Sequence, residues 1–120
     1  MYNESTLFDL SFLEQMQDRD FLVEAVELYL HDTAINLKEM QQALDTGGYG
    51  DVSKIAHKLK SSTGLLQAQK LFSTLEAIEK LAIERTSAIQ LATYVYQSRL
   101  QFNALKTALE VHLERLTITS

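Results

Sequence analysis

Among the groups in this chain that can act as nucleophile, base or ligand near neutral pH, the histidines His31, His57 and His112 come first, because there is no cysteine. Without cysteine, a disulfide framework, a thiolate metal site and a cysteine nucleophile are all excluded. His57 sits in the run Ala56-His57-Lys58-Leu59-Lys60-Ser61-Ser62-Thr63-Gly64-Leu65-Leu66. If that run is helical and Leu59 marks its buried side, His57 lies about 160° from the core direction, Ser61 about 200° and Gly64 about 140°. Lys54 falls at about 220° and Lys60 at about 100°, so the imidazole is expected to project outward with lysines on both flanks. Residues 52–75 carry Lys54, Lys58, Lys60 and Lys70 and no acidic residue, a charge of +4 against −9 for the rest of the chain.

A neutral imidazole is a competent nitrogen nucleophile, and neighbouring ammonium groups disfavour its protonated form, which keeps the lone pair available. The same cations would stabilise a dianionic group once attached. Ser61 offers a hydroxyl donor one turn from His57, and Gly64 removes side-chain bulk where another protein could approach. Taken alone, these residues also read as a solvated histidine beside a solvated lysine face. A locally basic segment in an acidic protein can hold a small anion or steer an acidic partner.

The remaining candidates point to structure. His31 follows Glu27 by four residues away from the apolar stripe, a surface pair worth a few tenths of a kcal/mol. His112 lies near an apolar stripe and is expected to be partly buried. The carboxylate pairs Glu76 with Glu79 and Glu110 with Glu114 lack the Glu-x-x-His partners of di-iron bundles, and no two histidines share a helix at ligand spacing, so no bound metal is expected. Gly47-Gly48-Tyr49-Gly50 lacks the Gly-Lys-Ser/Thr ending of a phosphate-binding loop and reads as a turn.

Positioning these residues falls to helices. Ser11-Phe12-Leu13-Glu14 has the form of a capping box and predicts a short first helix ending near Gln17. Asp18 or Asp20 then caps a long helix with Leu22, Val26, Tyr29, Thr33, Leu37, Met40 and Leu44 on one face, ending at Thr46-Gly47-Gly48. A third helix over 51–66 buries Val52, Ile55, Ala56, Leu59, Thr63 and Leu66. A fourth, without a good N-cap, buries Leu71, Leu75, Ile78 and Ala82. Ser87-Ala88-Ile89-Gln90 opens a last helix carrying Leu91, Val95, Phe102, Leu105, Leu109 and Leu116 and reaching 116 or 117. With short connections the four long helices must alternate direction, which predicts an all-α, up-down-up-down four-helix bundle with a short N-terminal helix.

At 120 residues there is room for one core, and the whole of 1–120 is read as one domain with its core at about 7–116. Apolar residues at 46% and charged residues at 22% suit a soluble globular chain. The net charge of −5 argues against a general nucleic-acid binder. The aromatic interleaving of single-strand binders is missing from 52–75, where Phe72 stands alone. No apolar run approaches a membrane span and MYNESTLF does not resemble a signal peptide, so a cytoplasmic protein is expected. Asn3-Glu4-Ser5 then matches a glycosylation acceptor only by chance.

The stretch from Ala56 to Leu66 resembles the signature of histidine-containing phosphotransfer (HPt) domains, the modules of multistep phosphorelays, in which a motif of the form His-x-Leu-Lys-Gly-Ser lies on a bundle helix. His57 matches the phospho-acceptor, Leu59 the buried apolar position and Lys60 the lysine that accompanies the phosphoryl group. Ser61 stands where the family most often has glycine, and Gln67 where a glycine commonly follows the helix. The short helix around Asp9-Leu10-Ser11-Phe12-Leu13 ahead of a long one is the family's layout, so the likeness covers about residues 7–116. It implies a phosphoryl carrier without a nucleotide site. His57 would accept phosphate from the phospho-aspartate of a receiver domain and pass it on, using Nε2, with Lys60, Lys58 and Ser61 stabilising the group. Lys54, Gly64, Phe12 and Leu13 would shape the docking surface; Phe12 and Leu13, with Phe8 and Leu10, read equally as a cap on the bundle end. The partners implied are receivers of response regulators or hybrid histidine kinases, which supply the Mg²⁺, and the carrier is expected to be monomeric. A scaffolding bundle that docks a receiver or kinase without taking phosphate, and a helical bundle binding nucleic acid or another anion, are the competing expectations.

Overall fold

The computed structural model describes residues 7–15 and 18–118. Five helices follow one another: α1 (Ser11–Glu14), α2 (Arg19–Asp45), α3 (Tyr49–Leu65), α4 (Gln69–Glu84) and α5 (Ala88–Ile118). Among the described residues there is no strand. The all-helical architecture expected from the spacing of apolar residues is the one adopted.

At α1 the capping box does not form as expected. Ser11 is the first helical residue, and the carboxylate of Asp9 accepts its backbone N–H at 2.8 Å and its hydroxyl as well. A charged acceptor two residues upstream outcompetes the serine oxygen for the free donors at the helix start. Those bonds hold the Asp9 carboxyl below the usual aspartate range. The described helix closes at Glu14, and the expected end near Gln17 lies outside the described residues.

Helix α2 begins as expected, with Asp18 accepting the Phe21 N–H at 3.0 Å. Its stripe from Leu22 to Met40 is buried, with Leu44 half-buried beyond it. It ends in a left-handed residue, Gly47 at φ +76°, and the N–H groups of Gly47 and Gly48 return to the carbonyls of Leu44 and Ala43 at 3.1 and 2.8 Å. The chain re-enters a helix at once. Helix α3 starts at Tyr49, two residues before the expected Asp51, and takes Gly50 into its first turn. Half-buried Tyr49 packs on the core beneath the Arg85 guanidinium, 5.6 Å from its ring centre, which anchors the earlier start.

Helix α3 closes on Gln67 at φ +52°, whose N–H reaches the Gly64 carbonyl at 3.0 Å. Helix α4 then begins without a side-chain cap, as expected, and buries Leu71, Leu75, Ile78 and Ala82. At the head of α5 the Ser87 hydroxyl accepts the Gln90 N–H at 3.1 Å, the serine half of the expected capping box. The helix ends at Ile118, just past the expected 116 or 117.

One continuous apolar cluster draws on every helix. Leu10, Leu13 and Phe8 are part of it, and Phe8 meets the His112 ring edge-on at 5.7 Å, so the N-terminal segment does cap one end of the helices. The Asp9 N–H donates to the Leu66 carbonyl at 2.8 Å and ties that segment to the α3–α4 turn. Inside the core, the hydroxyls of Tyr29 and Thr63 lie 2.8 Å apart and lock α2 to α3. Burial raises the Tyr29 hydroxyl above its ordinary range, with the bonds to Thr63 and Thr33 acting the other way.

Candidate functional site

Helix α3 is amphipathic enough to orient its residues without ambiguity. Val52, Ala56, Leu59 and Thr63 are buried, and the His57 side chain is 68% exposed in the middle of the helix. This matches the outward placement derived from helical geometry. Lys54, Lys58, Ser61 and Gly64 are exposed too, whereas Lys60 is folded down, with its side chain only 20% exposed.

The expected ring of ammonium groups needs correction, because the group nearest the imidazole is a carboxylate. Glu79 of α4 places Oε2 2.8 Å from His57 Nδ1 and Oε1 3.0 Å from Lys60 Nζ. Glu76 lies 3.9 Å from the same ammonium. Counting charge along residues 52–75 stopped one residue short of Glu76 and missed what packing brings in from the next helix. Helices α3 and α4 form a tight hairpin about Ala68. His57 and Glu79 are equidistant from Ala68 in sequence, as are Lys60 and Glu76, and Gly64 and Phe72. This equidistance was the available signal, and it requires pairing two helices rather than reading one.

Glu79 is a bridge between the imidazole and the lysine. Its carboxyl is held below the ordinary glutamate value of 4.5, first by the hydrogen bond from Lys60 and then by that from His57, against an opposing contribution from burial. At neutral pH it is therefore ionised and only accepts. His57 Nδ1 is then the donor in this contact, and in the neutral ring the lone pair lies on Nε2, the outward ring nitrogen. Lys60 Nζ also lies 5.7 Å from the centre of the Phe72 ring, so its position is fixed from two sides.

Other expected site residues face elsewhere. Lys58 and Ser61 line a groove of about 410 Å³ between α2 and α3, with Leu13, Leu28, Tyr29, Asp32 and Leu65 among its walls. Leu13 is 7% exposed, so its side chain belongs to the core and meets the groove only as part of its floor. Phe12 is 47% exposed and stands free of the core cluster. Gly64 is approached by Phe72 of this same chain. A Cβ built there would meet the Phe72 ring at 3.5 Å, an ordinary contact, so internal packing leaves room for a small side chain. Gln67 adopts the left-handed conformation that favours glycine, and the helix ends there.

The arrangement is a solvent-facing imidazole on a helix, held from behind by an ionised carboxylate that a lysine secures. A family model described as Hpt domain matches residues 24–116, which includes α3, α4 and the His57, Lys60 and Glu79 cluster but not Phe12 or Leu13. No curated protein matches the chain. Hpt domains are phosphocarrier modules of two-component phosphorelays, exchanging phosphoryl groups with receiver domains through a histidine. With most of its length matched, and an exposed histidine on a helix where the motif His-x-Leu-Lys falls, the chain belongs to the Hpt domain family.

Proposed function

We propose that His57 is the residue that carries the phosphoryl group, taking it on Nε2 from the phospho-aspartate of one receiver domain and giving it to the aspartate of another. The observation that carries this reading is the Nδ1 contact with Glu79 at 2.8 Å beside an otherwise exposed ring. The Nε2 lone pair forms the new N–P bond as the P–O bond to the receiver carboxylate breaks, and that carboxylate leaves with the electron pair. Because Nδ1 keeps its proton, the ring becomes cationic as the bond forms, and Glu79 stands where that charge develops. Return transfer reverses each step. The nucleophile sits on a helix rather than a loop, which suits the alignment an in-line transfer needs.

In this reading Lys60 stabilises the phosphoryl oxygens. Its ammonium has three donors, so it can keep Glu79 and still offer one outward. Ser61, one turn along α3, and Lys58 act at the groove side of the group, while Lys54, Gly64 and Phe12 contribute to the receiver-docking surface and Leu13 supports it from beneath. The Mg²⁺ belongs to the receiver partner. The four long helices alternate up-down-up-down with α1 across one end, and the carrier works as a cytoplasmic monomer without nucleic acid. No helix among the described residues is long and apolar enough to cross a membrane.

The test is phosphotransfer from a receiver domain charged with labelled acetyl phosphate. The wild-type chain should gain label that is lost in acid and stable in base, the signature of a phosphoramidate, and His57→Gln should gain none. Label retained by that variant would remove His57 from the reaction.

A further inference from the structure

On the opposite helix pair, α2 and α5 leave a groove of about 450 Å³ lined by Ala34, Leu37, Lys38, Gln41, Arg99 and Asn103, with Gln42 and Phe102 completing it. None of these residues touches His57 or its partners. Two cations, Lys38 on α2 and Arg99 on α5, share the groove, and no carboxylate lines it. Among the described residues neither cation has an ion-pair partner.

The sequence shows why. On a helix a cation finds its acidic partner three or four residues away. Around Lys38 those positions hold Ala34, Ile35, Gln41 and Gln42, and around Arg99 they hold Val95, Tyr96, Phe102 and Asn103. Glu39 lies about 100° round α2 from Lys38 and is not part of the groove. Asp45, four residues beyond Gln41 along α2 and outside the groove lining, accepts the Gln41 amide at 2.9 Å. In a chain of net charge −5, two cations facing one cavity with three carboxamides and no acid form a local positive site. The guanidinium fork matches a phosphate edge in a bidentate manner, and the ammonium supplies a point charge opposite. Gln42 and Asn103 offer donors and acceptors to the remainder of a ligand.

We propose that the α2/α5 groove is a binding site for a small phosphate-bearing molecule, gripped by Lys38 and Arg99. The probes are inorganic phosphate, AMP and uncharged adenosine, titrated into the full chain while backbone amide shifts are followed by NMR. Phosphate and AMP should give saturable shifts centred on residues 34–42 and 99–103, weakened by added salt, and adenosine should give none. Lys38→Gln and Arg99→Gln should each weaken binding by roughly 10-fold, the scale of losing one charge-assisted hydrogen bond. Asn103→Asp, which exchanges an amide donor for a carboxylate on the wall, should weaken it as well. Shifts that never saturate, shifts clustered on residues 54–60, adenosine binding as tightly as AMP, or Arg99→Gln binding phosphate as the parent does would each overturn the site. His57→Gln should bind phosphate unchanged and Arg99→Gln should transfer phosphate unchanged, so this proposal and the His57 assignment fail separately.

Discussion

Glu79 has two roles at His57, and they can be separated by substitution. It fixes the tautomer by accepting from Nδ1, and it is itself secured by Lys60 at 3.0 Å. Glu79→Ala leaves the nucleophile in place but free to rotate and to exchange tautomers. Transfer from a charged receiver should then slow by roughly 10- to 100-fold, the scale seen when an imidazole loses its orienting partner at other sites. Glu79→Gln keeps an acceptor and should recover part of that rate; quench-flow rates for the three proteins decide the matter. The same carboxylate sets a pH dependence of stability. Its folded-state carboxyl titrates below the ordinary value of 4.5 expected of the unfolded chain. Its contribution is therefore complete above that value and is lost as pH falls through the folded one. Urea midpoints of the parent and Glu79→Gln should differ at neutral pH and converge in acid. The outward direction of His57 was legible from α3 alone, because Leu59 and Ala56 define the buried side. Glu79 was not, since its pairing with His57 is created by packing between helices rather than by any local pattern.

At the level of the elements, the ends of the helices depart furthest from an ideal sequence. Gln67 closes α3 at φ +52° and Arg85 closes α4 at φ +55°, a conformation that crowds the Cβ of any residue but glycine. Gln67→Gly should raise unfolding free energy by about 1 kcal/mol, measured by urea denaturation, because it removes that crowding while the Gly64 and Thr63 carbonyls keep their donors. Arg85→Gly should gain less, because it also gives up the guanidinium contact with Tyr49. Tyr29→Phe should cost about 1 kcal/mol, the value of one buried bond with Thr63 left unpartnered. Helix identity and the buried stripes were readable because apolar residues recur at three and four over several turns. Starts were readable where an acceptor led the stripe, as at Asp18, with Asp20 the alternative, and at Ser87, and misread at Ser11, where Asp9 upstream takes the donors. The early start of α3 follows from a tertiary contact at Tyr49, which no local pattern encodes.

Across the whole molecule, the α3 helix separates two surfaces of different character. On the α4 side of His57 lie charges that are already paired, Lys60 with Glu79 and Glu76. On the α2 side, Leu28 at 61% exposure and Leu65 at 48% border the groove that Lys58 and Ser61 line. Apolar side chains left open beside the site are the natural seat for a receiver, since burying them returns free energy at roughly 25 cal/mol per Å². Paired charges must first give up partners. The surface that recognises the receiver is therefore expected on the α2 side, and substitutions should sort accordingly. Leu28→Ser and Leu65→Ser should each weaken receiver binding by about 10-fold, equivalent to about 1.4 kcal/mol. They should change stability by no more than about 0.5 kcal/mol, as is usual for exposed positions. Leu13→Ala, by contrast, should cost about 2 to 4 kcal/mol of stability because the side chain lies in the core. Isothermal titration against a receiver domain, paired with urea melts of each variant, distinguishes the two outcomes. Full receiver affinity in a Leu28→Ser, Leu65→Ser double variant would move the docking face to the α4 side, where Glu76 and Lys60 would have to exchange partners on binding.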